Sequence, residues 1–319
     1  MKLTLVEQRI QGSGGWAEGD ASYAGDNPPG GAVISYFQKA RHVIGRMKLE
    51  ILDASGNVVD EVPAAKRRGL NRVSWPMRTK PPQVPPAASL AGNSAFGERY
   101  LPGTYTVRLT KAGQVVTEPL TITLDKRATF TVADRQAQFA ASERVKSMFE
   151  RMSKVVAQIN AVRQQAGGMA SSATAPADVK AAAAQLLGKA DAMRKEIVAT
   201  TEGGAITGEE RLREHADDIY GAINSVEDRP TGYQMARVDA LDRELKDVEA
   251  SWAAFQAGDL AAFNAKLRGA NLPPLTVAEV EFDPDDLPRG GRISALVSGL
   301  VGTRFYGDSA SLEEAKEKD

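Results

Sequence analysis

The spacing of apolar residues changes once along this chain, near Asp134, and that change limits what the chain can fold into. Before it, short β-prone runs recur at residues 32–37, 48–52, 57–62, 71–75, 104–110 and 114–124, each set off by turn-forming residues. Met47, Leu49 and Ile51 alternate with Lys48, Glu50 and Leu52, and Asp53-Ala54-Ser55-Gly56-Asn57 turns the chain into Val58 and Val59. This reads as a hairpin with one face buried. A second hairpin is expected where Leu101-Pro102-Gly103 precedes Tyr105, Val107 and Leu109, and Lys111-Ala112-Gly113 turns into the next strand. Between the hairpins, 80–97 carries four prolines and few large apolar groups, so it should be an irregular excursion from the sheet. Strands at this spacing predict a β-sandwich.

After Asp134 the period lengthens to that of an amphipathic helix. Val145, Met148, Met152, Val155, Ile159 and Val162 form one stripe, ended by Gly167-Gly168. Val179, Ala183, Leu186, Ala190, Met193 and Ile197 form a second. A third runs through Leu212, Ile219, Ile223 and Val226, and a fourth through Val238, Leu241, Leu245, Val248, Trp252 and Phe255. Gly258 should stop the fourth helix, with Asp259 capping a short fifth. Four long stripes of one period predict an antiparallel helical bundle. The expected organisation is an α+β multidomain chain: an extended lead-in at 1–31, the β-sandwich at 32–132, the bundle at 133–275, and an irregular tail at 276–319 ordered by docking onto a partner.

Forty basic and forty-one acidic residues leave a net charge of -1, so no global field draws the chain to nucleic acid, and none is expected as a partner. Cysteine is absent, which removes thiolate chemistry and cysteine-ligated metals. Met1 to Glu7 reaches an acidic residue before any apolar core, so no signal peptide is expected. The stretch 293–306 is too short and too interrupted to span a bilayer, though it could rest against one.

Few residues of the sequence point to chemistry. The two histidines, His42 and His215, lack metal-ligand spacing; His42 is expected to be exposed and His215 to pack at a helix boundary. Asp283, Asp285 and Asp286 lack the other ligands of a calcium loop. Asp217-Asp218 and Glu209-Glu210 read as solvated helix faces, because neighbouring helical positions diverge. Lys66-Arg67-Arg68, with Arg41 and Arg46 nearby, suits an acidic partner or, more ordinarily, a solvated loop. No catalytic residue, cofactor or metal site is expected. The candidate contact residues are aromatic: Trp16, Tyr23, Tyr36 and Phe37 as a ligand platform, with core filling as the alternative, and Phe305 and Tyr306 in the 293–306 stretch.

Several motifs occur in a telling order: Trp16; Gly25-Asp26-Asn27-Pro28-Pro29-Gly30-Gly31; Gly69-Leu70-Asn71-Arg72-Val73-Ser74-Trp75; Leu101-Pro102-Gly103-Thr104-Tyr105; Ala137-Gln138-Phe139; and Asn264-Ala265-Lys266-Leu267-Arg268. Together they resemble the region that follows the β-propeller in bacterial sortilin-like, BNR-repeat proteins labelled glycosyl hydrolases. The resemblance spans about residues 16–275 and implies that the sandwich is immunoglobulin-like. It also implies an exported relative, at odds with the missing signal peptide. The propeller is lacking, so the hydrolase label does not transfer. What remains is the expectation of a non-catalytic structural subunit that docks onto other protein subunits. A membrane complex such as a photosynthetic reaction centre is one setting, with peripheral membrane contact. The alternative is a carbohydrate-binding accessory module that holds a glycan.

Overall fold

In a computed structural model, residues 2–4, 31–201, 203 and 208–277 are described. Two small antiparallel sheets lie in the N-terminal part and four helical rods in the C-terminal part. The described chain forms two compact units, one taking in residues up to 79 and then 99–132, the other taking in 80–98 and the residues from 133 onward.

In the first unit, β1 (Lys2–Thr4), β2 (Ala32–Gln38) and β5 (Gly69–Trp75) form a sheet in the order β1-β2-β5. The strands β3 (Met47–Leu52), β4 (Val58–Val62), β6 (Gly103–Lys111) and β7 (Gln114–Ile122) form the other, in the order β4-β3-β6-β7. Both expected hairpins are present as β3-β4 and β6-β7. The first turn is tied by the Asp53 carboxylate, which accepts from the Ser55 and Asn57 amides at 2.9 Å each. The second turns on Ala112 and Gly113, both at positive φ as a two-residue hairpin turn requires.

Alternation sends Ile34 and Tyr36 of β2 and Trp75 of β5 into one buried cluster with Leu49, Ile51, Val107 and Leu120 of the other sheet. Trp75 is its centre. Its ring lies 5.1 Å from that of Tyr100 and 5.9 Å from that of Tyr105, and its indole donates to Asp60 at 2.8 Å. The start of β2 runs so close to the end of β5 that a Cβ on Gly31, at φ +105°, would lie 2.2 Å from the Trp75 carbonyl oxygen. Only glycine fits there.

The proline-rich excursion leaves this unit. Its neck is closed by an antiparallel bridge between Arg78 and Arg99 and by the Tyr100 amide donating to the Met77 carbonyl at 2.9 Å. The segment between, 80–98, belongs with the helices.

The helical unit is built from α1 (Val132–Ala170), α2 (Ala177–Ile197), α3 (Leu212–Asn224), α4 (Gly232–Phe255) and α5 (Ala261–Gly269). All four expected stripes supply one apolar cluster. Three boundaries differ from expectation. The first helix continues past Gly167-Gly168 to Ala170. Val226 lies beyond the end of α3 and is exposed, so it is no part of that stripe. Gly258 does not stop the fourth helix: a π turn, Gln256–Leu260, carries α4 into α5 as one rod with helical backbone at both joins. The wider turn keeps Leu260, Phe263 and Leu267 on the buried side. Ion pairs brace the rods: Arg151 on α1 grips Asp242 (2.6 Å) and Glu249 (2.5 Å) on α4, and Lys266 on α5 meets Asp178 on α2 at 2.7 Å.

Since Trp75 is fully buried among aromatic and aliphatic neighbours, Trp75→Ala should cost the β unit about 3–5 kcal/mol. Urea denaturation followed by tyrosine and backbone signals of that unit reads the loss directly.

Candidate functional site

The densest polar construction in the described chain is the seat that α3 makes for the 80–98 strap. Prolines 81, 82, 85 and 86 lack backbone N–H groups, so this stretch cannot join a sheet and has few donors to satisfy elsewhere. Val84 and Ala87 pack against the helical apolar cluster. The Ala88 amide donates to the Ala199 carbonyl at 3.0 Å, and Ser153 on α1 donates to the Gln83 carbonyl at 2.9 Å. The Arg213 guanidinium donates to both the Ser89 hydroxyl (2.9 Å) and the Ser89 carbonyl (3.1 Å), while the Ser89 hydroxyl donates to Glu214 at 2.8 Å.

Asp217 does the most. One carboxylate oxygen accepts from the Ser94 amide (2.8 Å) and hydroxyl (2.5 Å), and the other accepts from the Asn93 amide and side chain, both at 3.2 Å. These donors open the short 3-10 turn Asn93–Ala95, so the carboxylate caps it. Gly221, one helical turn along α3, makes room: a Cβ there would lie 2.4 Å from Asn93 Cγ. Asp217 is therefore buried and structural, which corrects the expectation of a solvated face. Its companion Glu209 also holds backbone, accepting from the Thr200 amide at 2.6 Å.

At the end of the strap, Glu98 is buried and accepts from the Tyr220 hydroxyl at 3.1 Å. Lys146 on α1 lies 3.7 Å from it, and Glu143, one turn before Lys146, hydrogen-bonds with it. Sharing a hydrogen bond with Glu98, with burial and the charge of Glu98 acting in the same direction, pushes Glu143 up to about 7. The pair holds a proton near neutrality, fastening the strap to α1.

The other candidate surface lies at one end of the β unit, where the loops 39–46 and 63–68 and the tip of the β6-β7 hairpin meet. The His42 amide donates to the Lys66 carbonyl at 3.0 Å, and Lys111 donates to Gln38 at 3.0 Å. Among the expected contact residues, Tyr36 and Phe37 diverge as strand neighbours must. Tyr36 is 4% exposed and donates to the Ala65 carbonyl at 2.6 Å, so it is core and no part of a platform; burial pushes its hydroxyl up to about 12. Phe37 is 70% exposed, directly across from Leu70, which is 68% exposed. Val43 and Ile44 at the tip of the 39–46 loop are 76% and 87% exposed. The helical reading of His215 as a boundary residue agrees with its partial exposure, whereas His42 is buried, its ring 3.1 Å from the Gly45 carbonyl. Trp16, Tyr23, Phe305, Tyr306, the Asp283 to Asp286 cluster and the 293–306 stretch lie outside the described residues.

Leu70, Val43 and Ile44 are aliphatic, and nothing in an aromatic pattern marks them. The available signal was charge: residues 32–49 and 63–97 contain no Asp or Glu at all. Among the described residues no three acidic or histidine side chains converge as metal ligands, and no helix is long and apolar enough to cross a membrane. Comparison with family models, curated proteins and solved structures finds no match to this chain.

Asp217→Ala should remove the acceptor for four donors and destabilise the helical unit by at least about 3 kcal/mol. Hydrogen exchange should speed up at the Asn93 and Ser94 amides, with β3 and β6 amides unaffected, and Gly221→Ala should act in the same direction. For Glu143, the raised folded value means that its contribution is complete below about 4.5 and is lost as pH climbs through about 7. Glu143→Gln should therefore gain stability relative to the parent between pH 5 and pH 8, measured by paired urea titrations.

Proposed function

We propose that this chain is a non-catalytic structural subunit that docks onto a larger protein assembly, its sheets forming an immunoglobulin-like sandwich and its rods an antiparallel bundle. The observation that carries the reading is where the charged side chains of the helical unit are spent. Asp217, Arg213 and Glu209 end on this chain's own backbone, Arg151 ends on Asp242 and Glu249, and Lys266 ends on Asp178. A catalytic site needs the reverse, polar groups aimed at a reacting atom and held there by others. Here the polar groups make the scaffold itself stiff. The 39-residue α1, roughly 58 Å long at 1.5 Å per residue, is braced against its neighbours in the manner of a spacer.

The shared cluster of Ile34, Trp75, Leu49 and Val107 supports the sandwich, because two sheets facing one core is that architecture. The order of motifs that resembles the post-propeller region of sortilin-like proteins supports the same pairing of a β domain with helices. The glycan-binding alternative rested on an aromatic platform, and burial of Tyr36 takes one ring out of it.

Purification of the tagged chain from its native cells in mild detergent, with quantitative mass spectrometry and native sizing, tests the reading. The expected result is a fixed set of protein subunits in constant ratio, migrating together. Recovery of a free monomer alone would overturn it.

A further inference from the structure

The end of the β unit described above combines two properties that proteins ordinarily keep apart. Apolar side chains protrude there: Val43 and Ile44 from the loop tip, Phe37 and Leu70 from the strands beside it. The same loops and strands carry Lys39, Arg41 and Arg46, then Lys66, Arg67 and Arg68, with Arg72 two residues beyond Leu70 on β5, and Lys111 stands at the hairpin tip, bonded to Gln38. No acidic residue occurs in either loop or at that tip. None of Lys39, Arg41, Arg46, Lys66, Arg68 and Arg72 forms an ion pair with a described residue. On a chain of net charge -1, this local excess of cations is a segregation of charge.

The apolar tip is also built. The amide of His42 is tied to Lys66, its ring to the Gly45 carbonyl, and Gly45 turns at φ +91°. These bonds hold Val43 and Ile44 out in solvent, although folding inward would remove their apolar area from water. Leu70 and Phe37 sit directly opposite each other in the β2-β5 register, so both must face outward together.

We infer that this end of the β unit docks onto the surface of an anionic phospholipid bilayer, with Val43 and Ile44 inserted among the acyl chains and the surrounding lysines and arginines on the headgroup phosphates. A convex apolar tip needs no preformed pocket in a bilayer, where headgroups move aside and the tip reaches the acyl boundary. Nucleic acid would satisfy the cations and leave four aliphatic and aromatic side chains in water. A membrane satisfies both halves of the surface.

The inference does not depend on the assembly reading, because it concerns the purified chain alone. Co-sedimentation of the full chain with large vesicles is the test, comparing pure phosphatidylcholine with phosphatidylcholine containing about a third phosphatidylglycerol, at low and high salt. Binding is expected only to the anionic vesicles and should weaken with salt. The double variant Lys66→Ala with Arg68→Ala should lower the partition coefficient roughly fivefold per cation removed. Ile44→Asp should lower it at least about tenfold. All three positions are exposed, so the thermal midpoint of each variant should match the parent and separates lost docking from lost fold. Absence of binding to anionic vesicles overturns the inference. So does binding that survives Ile44→Asp, or equally tight binding of an 18-base-pair DNA duplex that ignores Ile44→Asp, since either would make the surface a plain polyanion site.

Discussion

The helical unit depends on one buried carboxylate. Asp217 gathers the donors of Asn93 and Ser94, and through them makes a segment lying more than a hundred residues earlier part of the helical core. A charge this deep is tolerable only because each oxygen has donors aimed at it. The strap in turn covers apolar area with Val84 and Ala87, and brings Glu98 to Tyr220, Glu143 and Lys146. Because the strap leaves the β unit at one closed neck, each unit keeps its own core while sharing one continuous chain.

The β unit solves a different problem. A small pair of sheets has little interior, and it concentrates what it has in one aromatic group, Trp75 with Tyr100 and Tyr105, whose polar ends all find partners in Asp60, Val59 and Leu101. Having spent its largest side chains inside, it still leaves Phe37, Leu70, Val43 and Ile44 outside. Scattered exposed apolar residues are ordinary, but here Val43 and Ile44 protrude from a loop tied by hydrogen bonds, and Phe37 faces Leu70 across the β2-β5 pair.

Much of the architecture was legible in the sequence, for reasons that can be named. Met47, Leu49 and Ile51 alternate because a strand shows every second residue to its core, and the structure places Leu49 and Ile51 at full burial. The stripes from Val145 to Val162 and from Val238 to Phe255 recur because one helical face must be apolar, and those residues are buried. Both hairpins followed from turn residues whose backbone freedom is local. Helix ends were less legible: Gly258 is a stop in isolation, but the burial of Leu260 and Phe263 on the far side outweighs the cost of carrying it through a π turn.

The sequence by itself therefore determined what short-range geometry controls: which segments are strands, which are helices, and which residues of each share a face. Tertiary structure alone decided what depends on partners distant along the chain. Nothing local to Asp217 distinguishes it from Asp218, yet one is buried beneath the strap and the other is exposed, because Asn93 and Ser94 reach only one of them. Tyr36 and Phe37 are likewise adjacent aromatic residues in the text. The core behind β2 takes the first and solvent keeps the second, since a strand turns successive side chains to opposite sides and only the fold says which side is in.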